Sequence, residues 1–158
     1  MMVYFVMGPS GAGKSTYIKK NFPNAIIVDL LECQDKYFLK PDGTYGPVTL
    51  DGVLASYDDC EELLAKAVKT HFDDDTDIVL EHTLLKDKRR HRYLKAAFNA
   101  GAKQVKAICI LPTKEQYAKN IASRWRTEDV DGMLDMLDEF EMPQVSENGF
   151  CSVDVVTY

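Results

Sequence analysis

The stretch Gly8-Pro9-Ser10-Gly11-Ala12-Gly13-Lys14-Ser15 constrains this chain more than any other. It meets the spacing GxxxxGK[ST] in full, and the apolar run Met2 to Met7 directly precedes it. An apolar run without polar alternation is read as a strand buried on both faces of a parallel sheet. Glycines at these positions let backbone N–H groups turn inward around a phosphate chain without side-chain interference. The helix expected from Lys14 to Asn21 aims its positive end at the same anion. In this pattern Lys14 reaches the β- and γ-phosphates, and Ser15 ligates Mg²⁺. The expected nucleotide-binding residues are Gly8, Pro9, Ser10, Gly11, Ala12, Gly13, Lys14, Ser15 and, more weakly, Thr16.

Downstream, short apolar runs alternate with helical patterns. Strands are expected at Ala25 to Val28, Ile78 to Leu80, Val105 to Leu111 and Ser152 to Thr157. Helices are expected at Leu30 to Leu39, Ser56 to Phe72, Asp87 to Ala100, Thr113 to about Arg126 and Asp129 to Phe140. On the 56–72 helix, Leu63, Leu64, Ala67, Val68 and His71 are placed on one face. Thr113 is a cap and Gly101 a helix stop. Lys40 to Asp51, with Pro41-Asp42-Gly43 and Gly46-Pro47, reads as a structured loop near substrate. The alternation predicts one α/β domain over residues 1–158, with a five-stranded parallel sheet, helices on both faces and a helical lid.

A hydrophobic content of 46% supports a real core. The net charge of −6 gives no general attraction to nucleic acid or anionic membrane. Cysteines at 33, 60, 109 and 151 form no CxxC pair and read as reduced thiols. With no basic leader and no run of ~20 apolar residues, a cytoplasmic protein without membrane contact is expected.

Open parallel sheets bind ligands at the carboxyl ends of their strands. Asp29 follows the second strand and is either a general base or a cap for the next helix. Glu81 follows the third strand and is either a Mg²⁺ partner or a cap. His82 is expected to be a satisfied polar residue. Lys86 to Arg92 is a basic cluster; helical spacing predicts that its members do not all face one ligand, although one arginine could hold a phosphate-bearing acceptor. Arg124 and Arg126, at the end of a helix, are read either as lid residues stabilising a transferring phosphoryl or as partners of the helix dipole.

These features resemble the small P-loop kinases of the polynucleotide-kinase-like and zeta-toxin-like branch. The resemblance runs through Gly8 to Thr16, Asp29, Glu81-His82-Thr83, Arg89/Arg90, Gly101-Ala102-Lys103, Asn120 to Arg126 and Glu147-Asn148-Gly149-Phe150. It implies ATP as donor, Mg²⁺ as cofactor, Asp29 as base and an arginine-bearing lid. The expected acceptor is a nucleic-acid 5′-hydroxyl or a small metabolite. The sequence departs from the branch at His82-Thr83-Leu84, where the phage-type enzymes carry Asp-Thr-Asn. Two other functions stay open: an ATP-hydrolysing switch and an ATP-binding module without turnover. No Asn-Lys-x-Asp segment supports a guanine-specific switch.

Overall fold

A computed structural model describes residues 1–123 and 130–158. Its strands are β1 (Val3–Met7), β2 (Ile26–Asp29), β3 (Ile78–His82), β4 (Val105–Ile110) and β5 (Ser152–Val156). Its helices among the described residues are α1 (Lys14–Asn21), α2 (Leu30–Phe38), α3 (Leu50–Thr70), α4 (Asp87–Ala100), α5 (Lys114–Ala122) and α6 (Val130–Glu139). The sheet order is β2-β3-β1-β4-β5, and every pairing is parallel. β1 therefore lies between β3 and β4, where the winding of the chain reverses. Such a switch point leaves a crevice above the carboxyl ends of the strands.

Side chains along the central strands divide between two cores at a period of two. Val3, Phe5, Met7, Ile78, Leu80, Val105, Ala107 and Cys109 enter one cluster with Cys60, Leu64, Val68, Tyr93 and Leu94. Val6, Val79, Ile108 and Ile110 enter the other with Ala12 and Ile18. Both faces of the sheet are thus covered, giving the expected three layers. Edge strand β5 has no fully buried residue. The four cysteine sulfurs are unpaired. Among the described residues, no helix is long and apolar enough to cross a membrane.

The expected caps are present: Thr113 Oγ1 accepts the Gln116 N–H, and Gly101 ends α4 at φ 120°. α3 differs from expectation. It begins at Leu50, not Ser56, because Thr49 Oγ1 accepts the Gly52 N–H and caps it. Gly52 is needed where the helix crosses Phe38, since a Cβ there would lie 2.7 Å from that ring. The apolar face also differs: Ser56, Cys60, Leu64 and Val68 are buried, whereas Leu63 is exposed. The segment before α3 folds back on α2, through a Leu39–Tyr45 bridge and a hydrogen bond from Tyr45 to Asp35.

Among the described residues, Arg90 is the largest fully buried side chain, at 1% exposure. Its Nε donates to the Leu84 carbonyl at 2.7 Å and its Nη2 to the Leu85 carbonyl at 3.2 Å. Its Nη1 pairs with Asp87 at 2.9 Å, and its guanidinium stacks 4.7 Å from the Phe140 ring centroid. Arg90→Ala strands two acceptors under the β3–α4 turn and opens a void. The expected loss is about 3 kcal/mol of folding stability, read from urea denaturation. A change below ~0.5 kcal/mol, the range of ordinary surface substitutions, would contradict this account.

Candidate functional site

From β1 the chain turns through the glycine-rich loop into α1. Gly8 passes so close to β4 that a Cβ would lie 2.4 Å from the Ile110 carbonyl oxygen. Its N–H donates to the Thr83 carbonyl at 3.2 Å, tying the loop to the end of β3. Gly13 forms the N-cap of α1 at φ 104°, a conformation that strongly favours glycine. Among the described residues no side chain caps α1, and its first turn holds no acidic residue. Its leading N–H groups are the donors a helix offers to an anion.

Three polar side chains brace the loop from outside. Tyr117 Oη donates to the Ser10 carbonyl at 2.7 Å, Asn120 Nδ2 to the Gly11 carbonyl at 3.2 Å, and Tyr158 Oη to the Ala12 carbonyl at 2.6 Å. Asn120 Nδ2 also donates to Tyr158 Oη at 2.8 Å. In a trans peptide the C=O and the next N–H point oppositely. Drawing the Ser10 and Ala12 carbonyls outward therefore turns the N–H groups of Gly11 and Gly13 to the other side. Sequence reasoning missed all three braces, which lie more than one hundred residues from the loop. Asn120 is marked only as the start of the stretch resembling a lid helix, and no local pattern marks Tyr117 or Tyr158.

Charge gathers at the strand ends. Lys14 Nζ donates to the Gly8 and Pro9 carbonyls, each at 2.9 Å, which leaves one of its three donors for an anion. Burial pushes the Lys14 ammonium down to about 8, against the opposing pull of Glu81 and Asp29. Ser15 Oγ is hydrogen-bonded to Glu81 Oε1. Glu81 and Asp29 are register partners on neighbouring strands. Burial raises the pKa of both carboxyls, and their mutual repulsion raises that of Glu81 further. A hydroxyl beside two strained carboxylates, next to a phosphate loop, fits a hard divalent cation. The cap reading of Asp29 holds: Oδ1 accepts the Leu31 N–H at 2.9 Å, while the carboxylate stays half-buried at the crevice. Thr16 is exposed on α1. Glu81 caps no helix; it faces Ser15.

The β3–α4 turn is strained, with Leu84 at φ 40° although only 1% exposed. Positive φ in a bulky residue is an outlier that its surroundings must enforce. Arg90 holds the turn from one side and His82 from the other. His82 Nδ1 accepts the Leu84 N–H at 3.1 Å, so the ring proton resides on Nε2, which lies 3.2 Å from Tyr93 Oη. Burial pushes the imidazole down to about 3, leaving it neutral. The departure from the kinase pattern at His82 is thus a satisfied polar residue within the core, as expected.

A cleft of about 610 Å³ opens beside this turn, floored by Tyr57 and Thr83 and reached by Met136. As the helical-spacing argument predicts, the cluster does not all face one place: Lys86, Lys88, Arg89 and Arg92 line the cleft, whereas Arg90 and His91 do not. Long side chains from the first turns of α4 converge because the surface there is concave. Arg90 has gone inward. The segment from Lys40 to Thr49 does not line the cleft. Arg124 and Arg126 lie outside the described residues.

The AAA-domain family profile matches residues 3–143. No curated protein sequence matches significantly. Among solved structures, a putative kinase from Chloroflexus aurantiacus J-10-fl superposes with a TM-score of 0.69 at 13% identity, covering 99% of this chain and 84% of that one. A gluconokinase from Sinorhizobium meliloti 1021 gives 0.60 at 16%, covering 98% and 81%. A chain of the Pnkp1/Rnl/Hen1 RNA repair complex gives 0.56 at 11%, covering 87% and 44%. The likeness to these structures concerns the fold, which is that of the small P-loop kinases, as the sequence resemblance implied. With its phosphate loop at the switch point of a five-stranded parallel sheet and the profile match spanning most of its length, the chain belongs to the AAA-domain family.

Proposed function

We propose that the protein is a phosphotransferase that moves the γ-phosphoryl group of ATP to an acceptor hydroxyl. The observation carrying this reading is the convergence of the phosphate loop, Lys14, the Ser15–Glu81 pair and Asp29 at one crevice beside a separate lined cleft. A nucleotide hydrolase needs the first part; a second cleft beside it suits an acceptor. The kinase folds of the structural neighbours support the same class.

The loop N–H groups and α1 hold the triphosphate, and Lys14 bridges its β- and γ-phosphates. Ser15 and Glu81 would hold Mg²⁺, which when bound neutralises charge on the phosphate oxygens. Asp29 accepts the proton of the acceptor hydroxyl. The freed oxygen pair forms the new bond to the γ-phosphorus, the bond from that phosphorus to the β–γ bridging oxygen breaks, and ADP leaves with the electron pair of the broken bond. Burial makes Asp29 a stronger base than an ordinary carboxylate, nearer the working pH. Arg124 and Arg126 are assigned the charge that builds on the transferring group.

The test is transfer of labelled γ-phosphate to a panel of hydroxyl acceptors, with Asp29→Asn as control. Label on an acceptor that is lost in the control establishes the reading. Label found only as free phosphate points to a hydrolase instead. The pH dependence is a second check. Lys14 is charged below about 8 and neutral above it. The kcat/KM for ATP, which reports the free enzyme, should therefore fall above pH 8 by up to about tenfold per unit. kcat at saturating ATP should hold, because bound phosphates keep Lys14 charged. A flat kcat/KM from pH 7 to 9.5 would contradict this role of the ammonium.

A further inference from the structure

The cleft beside the phosphate loop has a charge pattern opposite to that of the chain as a whole. The protein carries a net charge of −6, yet among the described residues the cleft is lined by four cations and no carboxylate. Two of the four are already neutralised. Arg92 bridges Asp58 at 3.0 Å and Glu61 at 3.1 Å, and Lys86 lies 3.7 Å from Glu141. Among the described residues, Lys88 and Arg89 make no ion pair. Arg89 is half-buried, with its guanidinium 5.0 Å from the Tyr57 ring centroid. A guanidinium laid on an aromatic face has its plane fixed and its N–H edges still available to an oxyanion.

That platform is itself rigid. The Tyr57 carbonyl accepts the Tyr93 hydroxyl at 2.7 Å, and its ring packs 5.0 Å from that of His82. From Tyr57 the cleft floor continues to Thr83, whose carbonyl takes the Gly8 N–H of the phosphate loop. The cleft thus adjoins the phosphate loop through Thr83 and, among the described residues, presents two cations without ion-pair partners.

We infer that this cleft binds the phosphoryl acceptor as a small hydroxyl compound bearing an oxyanion, a phosphate monoester or a carboxylate, with the anion on Arg89 and Lys88 and the hydroxyl at the Thr83 end. The volume suits one small molecule. A long polyanion is disfavoured, because Asp58 and Glu61 of α3 occupy Arg92 beside the cleft and the chain as a whole is acidic. The hydroxyl's fate rests on the phosphotransferase reading; the anion's binding does not.

The experiment uses matched acceptors: glycerol against glycerate and glycerol 3-phosphate, ribose against ribonate and ribose 5-phosphate, and a 5′-hydroxyl hexanucleotide. γ-Phosphoryl transfer and binding are both measured, the latter from backbone amide shifts at Tyr57, Thr83 and Arg89 with a non-hydrolysable ATP analogue and Mg²⁺ present. The anionic member of a pair is expected to bind and react at least ~10-fold better than the neutral one. Arg89→Met should weaken the anionic member ~10- to 100-fold, the worth of a charged hydrogen bond, with the KM for ATP unchanged. Arg89→Lys should restore part of the loss. The two anion types distinguish a phosphate site from a carboxylate site. Equal use of neutral members, preference for the hexanucleotide, or no shift with any anion overturns the inference. Anions that bind at Arg89 but are never phosphorylated sink the phosphotransferase reading and leave the anion site standing.

Discussion

Lys14→Ala is expected to lower kcat/KM for ATP by about a thousandfold, the upper end for loss of one charge-stabilising group in a dry site. Lys14 as a whole is half-buried, its ammonium is buried and anchored by the Gly8 and Pro9 carbonyls, and no other side chain on the loop replaces it. The same change frees those two carbonyls. Thermal unfolding must therefore be measured alongside turnover. A fall in activity with the melting temperature held within a few degrees assigns the loss to the phosphates. A variant retaining a tenth or more of wild-type kcat/KM would remove Lys14 from the mechanism.

Asp29→Asn tests a sharper question, because Asp29 does one job visibly and is assigned another. As a cap it gives Oδ1 to the Leu31 N–H. Asparagine caps as well as aspartate, so the substitution preserves α2 and its stability. It removes the carboxylate's charge, one of two that act on Lys14, and with it the ability to take a proton. The expectation is a fall in kcat of about 10²- to 10⁴-fold, the usual worth of a general base, with the KM for ATP within about twofold. If Asp29 were a cap alone, Asp29→Asn would be silent, whereas Asp29→Ala would cost ~1 kcal/mol of stability. Equal loss of ATP affinity in the Asp29→Asn and Lys14→Ala proteins would place Asp29 on the nucleotide rather than on the acceptor.

What the sequence disclosed was local. The phosphate loop, the apolar strands and the caps at Thr113 and Gly101 each depend on residues within a few positions of one another. Asp29 and Glu81 were found together because parallel sheets end their strands at one edge. What escaped depends on distance or on curvature. Nothing around Arg90 separates a side chain buried under a turn from its exposed neighbours Lys88 and Arg92. The start of α3 at Leu50 was hidden by the prolines and glycines before it and by Gly52 within it, whose reason is the Phe38 ring. Convergence of four basic side chains on one cleft could not be read from helical spacing, which knows nothing of the opposite wall.

The outside braces on the phosphate loop have a thermodynamic consequence. Tyr117, Asn120 and Tyr158 fix the loop's peptide planes through hydrogen bonds made on folding. The ordering entropy of the loop is then charged to the folding equilibrium and not to nucleotide association. Calorimetry should record little unfavourable loop-ordering entropy on triphosphate binding, and the Gly11 and Gly13 amides should already be oriented beforehand. The corollary is fragility at a distance: Tyr158 follows edge strand β5, so local melting of that edge would release the loop and raise the dissociation constant while the central sheet stayed folded.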